Sequence, residues 1–238
     1  MAALFIALLF CHGGQASERP LKITYMDYPG AIDRYGQALE NAYQKIGIDI
    51  EFIKLSDGIS IKDTNQGAFD GDLMRGAGME KSFPNLIPVG SPIESAKIVI
   101  LCQKGAVCTP DIINSSETLV YSVESAKTWN YALKTTSVSV AYQASLKSLK
   151  AIFLAKKIKY MVFTLDASGF FNADALNANV MSKPLMTVDA HHYIHKKHLK
   201  LVPALAKAID DEFSARAAIN KAIKAKSSKK VELQNDNS

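Results

Sequence analysis

Asp70, Asp72 and Arg75 fall within the short segment "FDGDLMRGAG" (69–78), among four glycines or small residues. A guanidinium at the carboxyl end of a strand, beside glycines that admit a ligand to the backbone, can grip a carboxylate or phosphate bidentately. The same arginine can instead be neutralised by Asp70 or Asp72 as an internal ion pair, and the residues alone leave both readings open. Four further side chains could share such a site. Tyr28, after the first expected strand, could stack on a ligand or merely pack on Pro29. Ser125, placed to cap a helix, could lend its hydroxyl and the free N–H groups of the helix start to an anion. Trp129 lies one turn along that helix, as ligand wall or as core. Asp166 ends a strand and could take an amine or simply open a turn. Tyr28, Asp72, Arg75, Ser125, Trp129 and Asp166 are therefore the candidate ligand-binding residues.

The histidines of "HHYIHKKH" (191–198) invite a metal reading. On an extended strand His191 and His195 point the same way but stand about 13 Å apart, too far for one ion. No carboxylate is interleaved, so neither a metal nor another cofactor is expected, and several imidazoles near a crossover suggest pH-dependent closure instead. No G-x-S-x-G, H-E-x-x-H or phosphate-binding loop is present. An enzyme would have to rely on Asp72 or Glu124 as its acid or base, and a non-enzymatic function is the expectation.

The elements that must position these residues follow from periodicity. "LKITYM" (21–26) alternates as a strand, and "RYGQALENAYQKIG" places Tyr35, Leu39, Ala42, Tyr43 and Ile46 on one helical face, with Asp33 as N-cap and Gly47 as stop. "IDIEFIKL" (48–55) is a second alternating strand, completing a βαβ unit with a right-handed crossover. A short helix then leads to "FDGDLMR" as third strand, and "NLIPVG" and "KIVILCQ" supply two more β-runs. After Cys108 the same order restarts: strand "TLVYSV", helix "ESAKTWNYALKT", strand "SVSVAY", helix "SLKSLKAIFLAKK" and strand "KYMVFTLD". The extended "KPLMTVDAHHYIHKK" leads back, and 198–225 reads as two helical stretches meeting near Asp210 and Asp211.

This order resembles the periplasmic solute-binding proteins of the amino-acid transporter type, the type II binding-protein fold. The segments that carry the likeness are "LKITYMDYPG", "YGQALENAYQKIGIDIEF", "GAFDGDLMR", "FPNLIPVGSPIESAKIVILCQKG" and the return "YIHKKHLKLVPALAKAI". The resemblance implies two α/β lobes of mixed sheets flanked by helices, joined by two crossovers and closing on a small-molecule ligand, a small polar solute that is anionic or amino-acid-like, in the cleft between them. It also implies a membrane permease, or a sensor protein, as partner, and a monomeric state. The sequence departs from the family pattern at three ligand-contact segments. Lys81 in "GAGMEKS" stands near the usual arginine, Glu124 and Ser125 stand where a glycine turn is usual, and Lys159 replaces an acidic residue. A dehydratase-like enzyme on the same fold and a ligand-sensing module are the alternatives.

The expected division is 1–16 as signal peptide, 17–101 as the first part of lobe one and 102–185 as lobe two. Residues 186–225 return to lobe one, and 226–238 form a disordered tail. The apolar run from Ala2 to Phe10 is too short to cross a bilayer, and Gly14 and Ala16 are placed for cleavage before Ser17, which implies periplasmic export. In an oxidising compartment Cys102 and Cys108 can close a disulfide. The net charge of +5 is mild, and the lysines of 221–230 lack interleaved aromatics, so nucleic acid is not an expected partner.

Overall fold

A computed structural model describes residues 19–26, 30–124, 126–129, 133, 136–166 and 176–215. Nine strands join into one continuous mixed sheet, in the order β2-β1-β3-β9-β4-β7-β5-β6, with β8 paired to β4. Its first half holds β1 (Leu21–Met26), α1 (Gln37–Lys45), β2 (Ile50–Leu55), α2 (Asp57–Asn65) and β3 (Gly71–Gly76). β1 pairs in parallel with both β2 and β3, as the βαβ pattern requires. The second half holds β5 (Leu119–Val123), α3 (Ala126–Trp129), β6 (Ser139–Gln143), α4 (Leu146–Leu154), β7 (Tyr160–Asp166) and β8 (Ala178–Val180). β5 runs parallel to β6 and β7. Two long antiparallel strands belong to both halves: β4 (Leu86–Gln103) and β9 (Met186–His195).

Each half buries both faces of its sheet. In lobe one, Leu39, Ala42 and Tyr43 of α1 pack with Ile23, Leu73, Ile194 and with Leu205, Ala208 and Ile209 of α5, the helix at 202–215. Tyr193, one residue along β9 from His192, points to the opposite face and packs with Ile61, Met79, Phe83 and Leu86. In lobe two, the period of two along β4 sends Val99 and Leu101 toward Leu149 and Phe153 of α4, and Ile98, Ile100 and Cys102 toward Ile112 and Val120. α4 is started by a reciprocal cap, in which Ser145 Oγ accepts the Ser148 amide at 3.1 Å and Ser148 Oγ accepts the Ser145 amide at 3.2 Å.

Three expectations are corrected. Asp33 is not an N-cap: the helix starts at Ala31, and Asp33 lies inside a π-helical stretch, Ile32–Gly36, that runs directly into α1. The runs "NLIPVG" and "KIVILCQ" are one strand, because the polar interval between them is a bulge and not a turn. Across it β4 advances five residues, from Val89 to Glu94, while β9 advances two, from His192 to Ala190. The C-terminal helix does not break at Asp210 and Asp211. Neither residue is a helix breaker, and both carboxylates find partners: Asp210 Oδ1 accepts the Ser91 amide of that bulge at 2.7 Å, and Asp211 pairs with Lys207 at 2.8 Å. Gly47 does stop α1, in the left-handed region at φ +75°. The segment 1–16 and the tail 226–238 lie outside the described residues.

Candidate functional site

The sheet register sets the place where a site can form. β3 runs antiparallel to β9 and brings its last residue, Gly76, opposite Ala190, which itself pairs with Glu94 of β4. From the other half, β7 brings its last residue, Asp166, opposite Ala96. β1 is parallel to β3 and β5 to β7, so the carboxyl ends of both sets of parallel strands converge on the middle of the β4–β9 ribbon. Ligands of open α/β sheets bind in the crevice outside strand carboxyl ends. Here two such crevices share one line, between Glu94 and Ala96.

On the lobe-one side of that line lies a buried polar network. Between Asp72, opposite Tyr193, and Arg75, opposite His191, β3 advances three residues while β9 advances two. This bulge turns Asp72 and Arg75 toward one another, although strict alternation would send them to opposite faces. Arg75 Nε reaches Asp72 Oδ1 at 3.0 Å and Nη2 reaches Oδ2 at 2.9 Å. Both side chains are buried, Arg75 at 4 % exposure and Asp72 at 0 %. Oδ2 also accepts Ser60 Oγ of α2 at 2.6 Å and Thr24 Oγ1 of β1 at 2.9 Å, and Ser60 Oγ accepts Arg75 Nη2 at 2.9 Å. Thr64 Oγ1 closes the group, 3.1 Å from Thr24 Oγ1. Such a fork is the geometry in which a buried ion pair meets its desolvation cost, since every lone pair of the carboxylate has a donor.

Along the ribbon, Tyr35 of the π-helical stretch donates to Glu94 Oε2 at 2.5 Å. Burial, and then this bond, push the Tyr35 phenol above its ordinary range, so it stays a donor. Ser95 Oγ donates to Asp189 Oδ1, and the Asp189 carbonyl accepts the Ala77 amide beyond β3 at 2.7 Å. These contacts tie the end of β3 and the start of α1 to the ribbon where the lobes meet. Tyr193 OH, directed to the other face, donates to Glu80 Oε2 at 3.0 Å.

Of the sequence candidates, the structure brings Asp72 and Arg75 together, and the ion pair is with Asp72. Asp70 lies at the far end of β3 with partners of its own: Lys197 Nζ at 2.8 Å, His198 Nε2 at 2.7 Å and the Lys22 amide at 2.8 Å. Burial raises its carboxyl, but these partners outweigh burial and hold it at about 2. Tyr28 and Ser125 lie outside the described residues, as do the side chains of Trp129, at the end of α3, and Asp166, at the end of β7. The histidines disperse. His191 Nδ1 lies 3.2 Å from the Gly90 carbonyl, His192 is buried with Nε2 2.8 Å from Tyr43 OH, and His198 meets Asp70. Among the described residues no cluster of His, Cys, Asp and Glu could hold a metal ion. Cys102 and Cys108 are disulfide-bonded, with Cα atoms 5.8 Å apart. The sequence reading missed Thr24, Ser60, Thr64, Tyr35, Glu94 and Asp189. Ser60 and Thr64 carry a legible signal, since polar residues four apart fall on one face of a short helix.

No protein-family model matches the chain, and no curated protein matches it. Solved structures do. The GluR0 ligand-binding core from Nostoc punctiforme in complex with L-glutamate is 14% identical, with a TM-score of 0.65 over 82% of this chain and 96% of that one. A variant of arginine-bound ArgBP from T. maritima is 12% identical, with a TM-score of 0.64 over 80% and 95%. The ancestral amino acid-binding protein AncCDT-1, a precursor of cyclohexadienyl dehydratase, is 14% identical, with a TM-score of 0.62 over 80% and 88%. The chain thus has the two-lobe type II binding-protein fold that the sequence resemblance implied.

Proposed function

We propose that this protein is a receptor that captures a small, polar, amino-acid-like solute between its two lobes. The observation that carries the reading is the convergence of four strand carboxyl ends on the middle of the β4–β9 ribbon, beside a pre-ordered Thr24–Ser60–Asp72–Arg75 floor. Two antiparallel strands are the only sheet connection between the lobes among the described residues, and a thin ribbon bending about its bulges is a hinge. Closure would exclude water and strengthen each charge-assisted bond to the solute.

The charge of the site refines the ligand. Asp72 offsets Arg75, so the floor does not by itself demand an anion, while Glu94 and Asp189 on the ribbon bond to the hydroxyls of Tyr35 and Ser95. A solute carrying both a carboxylate and an amine suits this balance. Arg75, Asp72 and Tyr28 would serve it from lobe one, and Ser125, Trp129 and Asp166 from lobe two. The disulfide and the apolar run Ala2–Phe10 favour an exported, periplasmic setting. Delivery to a membrane permease by a monomeric receptor rests on the family resemblance alone. Among the described residues no helix is long and apolar enough to cross a membrane.

A thermal-shift screen of the purified protein against amino acids, organic acids, polyamines, sugars and peptides tests the reading, because a ligand selective for the native state raises apparent stability by mass action. A reproducible rise with amino acids supports it. A folded protein that responds to none of these classes removes it. Likeness to a dehydratase precursor gives a second reading as an enzyme, and turnover of the stabilising compound would favour that one.

A further inference from the structure

At the end of lobe two remote from the proposed cleft, the turn after β4 and the turn before β7 enclose an open cavity of about 500 Å³. Its distance from the cleft follows from the register: Ala96 marks the cleft end of β4 and Cys102 the far end, six residues or about 20 Å along an extended strand. Lys104, Lys156 and Lys159 line it together with Val107, Ile158 and Tyr160, and among the described residues no carboxylate lines it. We propose that this cavity docks an acidic polypeptide segment of a partner protein that also carries apolar side chains.

The walls are built to hold shape. The Cys102–Cys108 bond closes the first turn, and the Gln103 amide donates to the Lys159 carbonyl at 2.9 Å, which pins the two turns to one another. The second turn is a Schellman motif ending α4: the Lys156 amide reaches the Phe153 carbonyl at 2.9 Å and the Lys157 amide reaches the Ile152 carbonyl at 3.0 Å. Its left-handed position, φ 57°, is normally glycine, yet a lysine occupies it. That backbone conformation disfavours a side chain with a Cβ, and the result is a cation on the cavity rim.

Apolar exposure is concentrated at the same end. Of six exposed large hydrophobic residues among those described, four belong to it: Val107 at 63 %, Leu154 at 55 %, Leu119 at 43 % and Val180 at 39 %. Leu154 ends α4 beside the lysine turn, Leu119 opens β5 and Val180 ends β8 opposite Leu101. Val107 lines the cavity and the other three lie at the same end of the lobe outside its lining; an inorganic anion gains nothing from such apolar surface, whereas a polypeptide can extend over it while its carboxylates meet the lysines. Asp111, four residues past Val107, is not among the lining residues. The inference concerns a surface separate from the cleft, so it stands or falls independently of the receptor reading.

The test uses the full chain and a fluorescein-labelled peptide of repeated Glu-Glu-Leu, read by anisotropy. Saturable binding should weaken about tenfold or more in the Lys104→Glu, Lys159→Glu double variant, and should weaken with added salt. The Lys62→Glu, Lys200→Glu variant makes the same change of net charge on exposed positions of lobe one and should bind as the parent does. All four lysines are exposed, so each variant should melt with the parent, which unfolding monitored by circular dichroism verifies. The proposal is overturned by absence of saturable binding or by equal loss in the control variant. Displacement of the peptide by equimolar inorganic phosphate would also overturn it, because the cavity would then be a small-anion site.

Discussion

At the scale of single residues, burial decides what each charge can do. Arg75→Ala would leave Asp72 at 0 % exposure without its counter-ion, and breaking a buried pair from one side costs about 3–5 kcal/mol. Urea unfolding should show that loss, and the Asp72→Asn, Arg75→Gln double variant should lose less than the two single variants combined. A loss below about 1 kcal/mol for Arg75→Ala would mean that the pair is solvated. His192 gives a pH signature. Burial lowers its pKa from 6.5 to about 4, and its Nδ1 has no hydrogen-bond partner among the described residues. A histidine depressed on folding contributes stability that is full above 6.5 and lost as pH falls toward 4, because the unfolded chain binds the proton first. Melts between pH 7 and 4 should show this decline, and His192→Gln should flatten it. Asp70, held at about 2, acts lower: its contribution is present above about 4 and disappears only as pH falls through 2.

At the scale of elements, the informative features are irregularities in otherwise regular strands. Gly90, in the β4 bulge, has φ +69°, and a Cβ there would stand 2.9 Å from Asp210 Oδ1 and 3.2 Å from the Ala206 carbonyl. Gly90→Ala should therefore destabilise by about 1–2 kcal/mol, from the left-handed backbone and from displacement of Asp210 off the Ser91 amide. Differential scanning calorimetry would read it, and an unchanged melting temperature would show that the bulge relaxes freely. The disulfide spans a sequence separation of only 6, so the chain-entropy model gives it about 2 kcal/mol. Reduction should lower the melting temperature modestly and leave solute binding in place, since the bond lies at the far end of lobe two.

For the molecule as a whole, the two lobes share one ribbon, and among the described residues β4 and β9 are the strands through which motion between them passes. Binding of a solute in the proposed cleft should reduce the radius of gyration measured by small-angle X-ray scattering, because closure brings the lobes together about that ribbon. Glu94→Gln should reduce affinity for a solute with a free amine more than for its acetylated analogue, as titration calorimetry would show. Equal effects on the two compounds would assign Glu94 to positioning Tyr35 alone.

Much of the fold was written along the chain, because strand alternation and the helical faces of Tyr35, Leu39, Ala42 and Tyr43 are local patterns that periodicity exposes. The disulfide partners were likewise named by proximity in sequence and compartment. The site was legible only in part. Arg75 and Asp72 could be singled out, but their pairing depends on one extra residue in β3 measured against β9, a strand more than 100 positions away. Nothing in the local sequence marks that bulge. Nor could residues 90–93 be distinguished from a turn without the partner strand that carries β4 straight past them. Sequence alone determined which faces of which elements must be buried, since burial follows from side-chain chemistry and local period. Tertiary structure decided which polar groups meet, because register between distant strands is fixed by long-range packing.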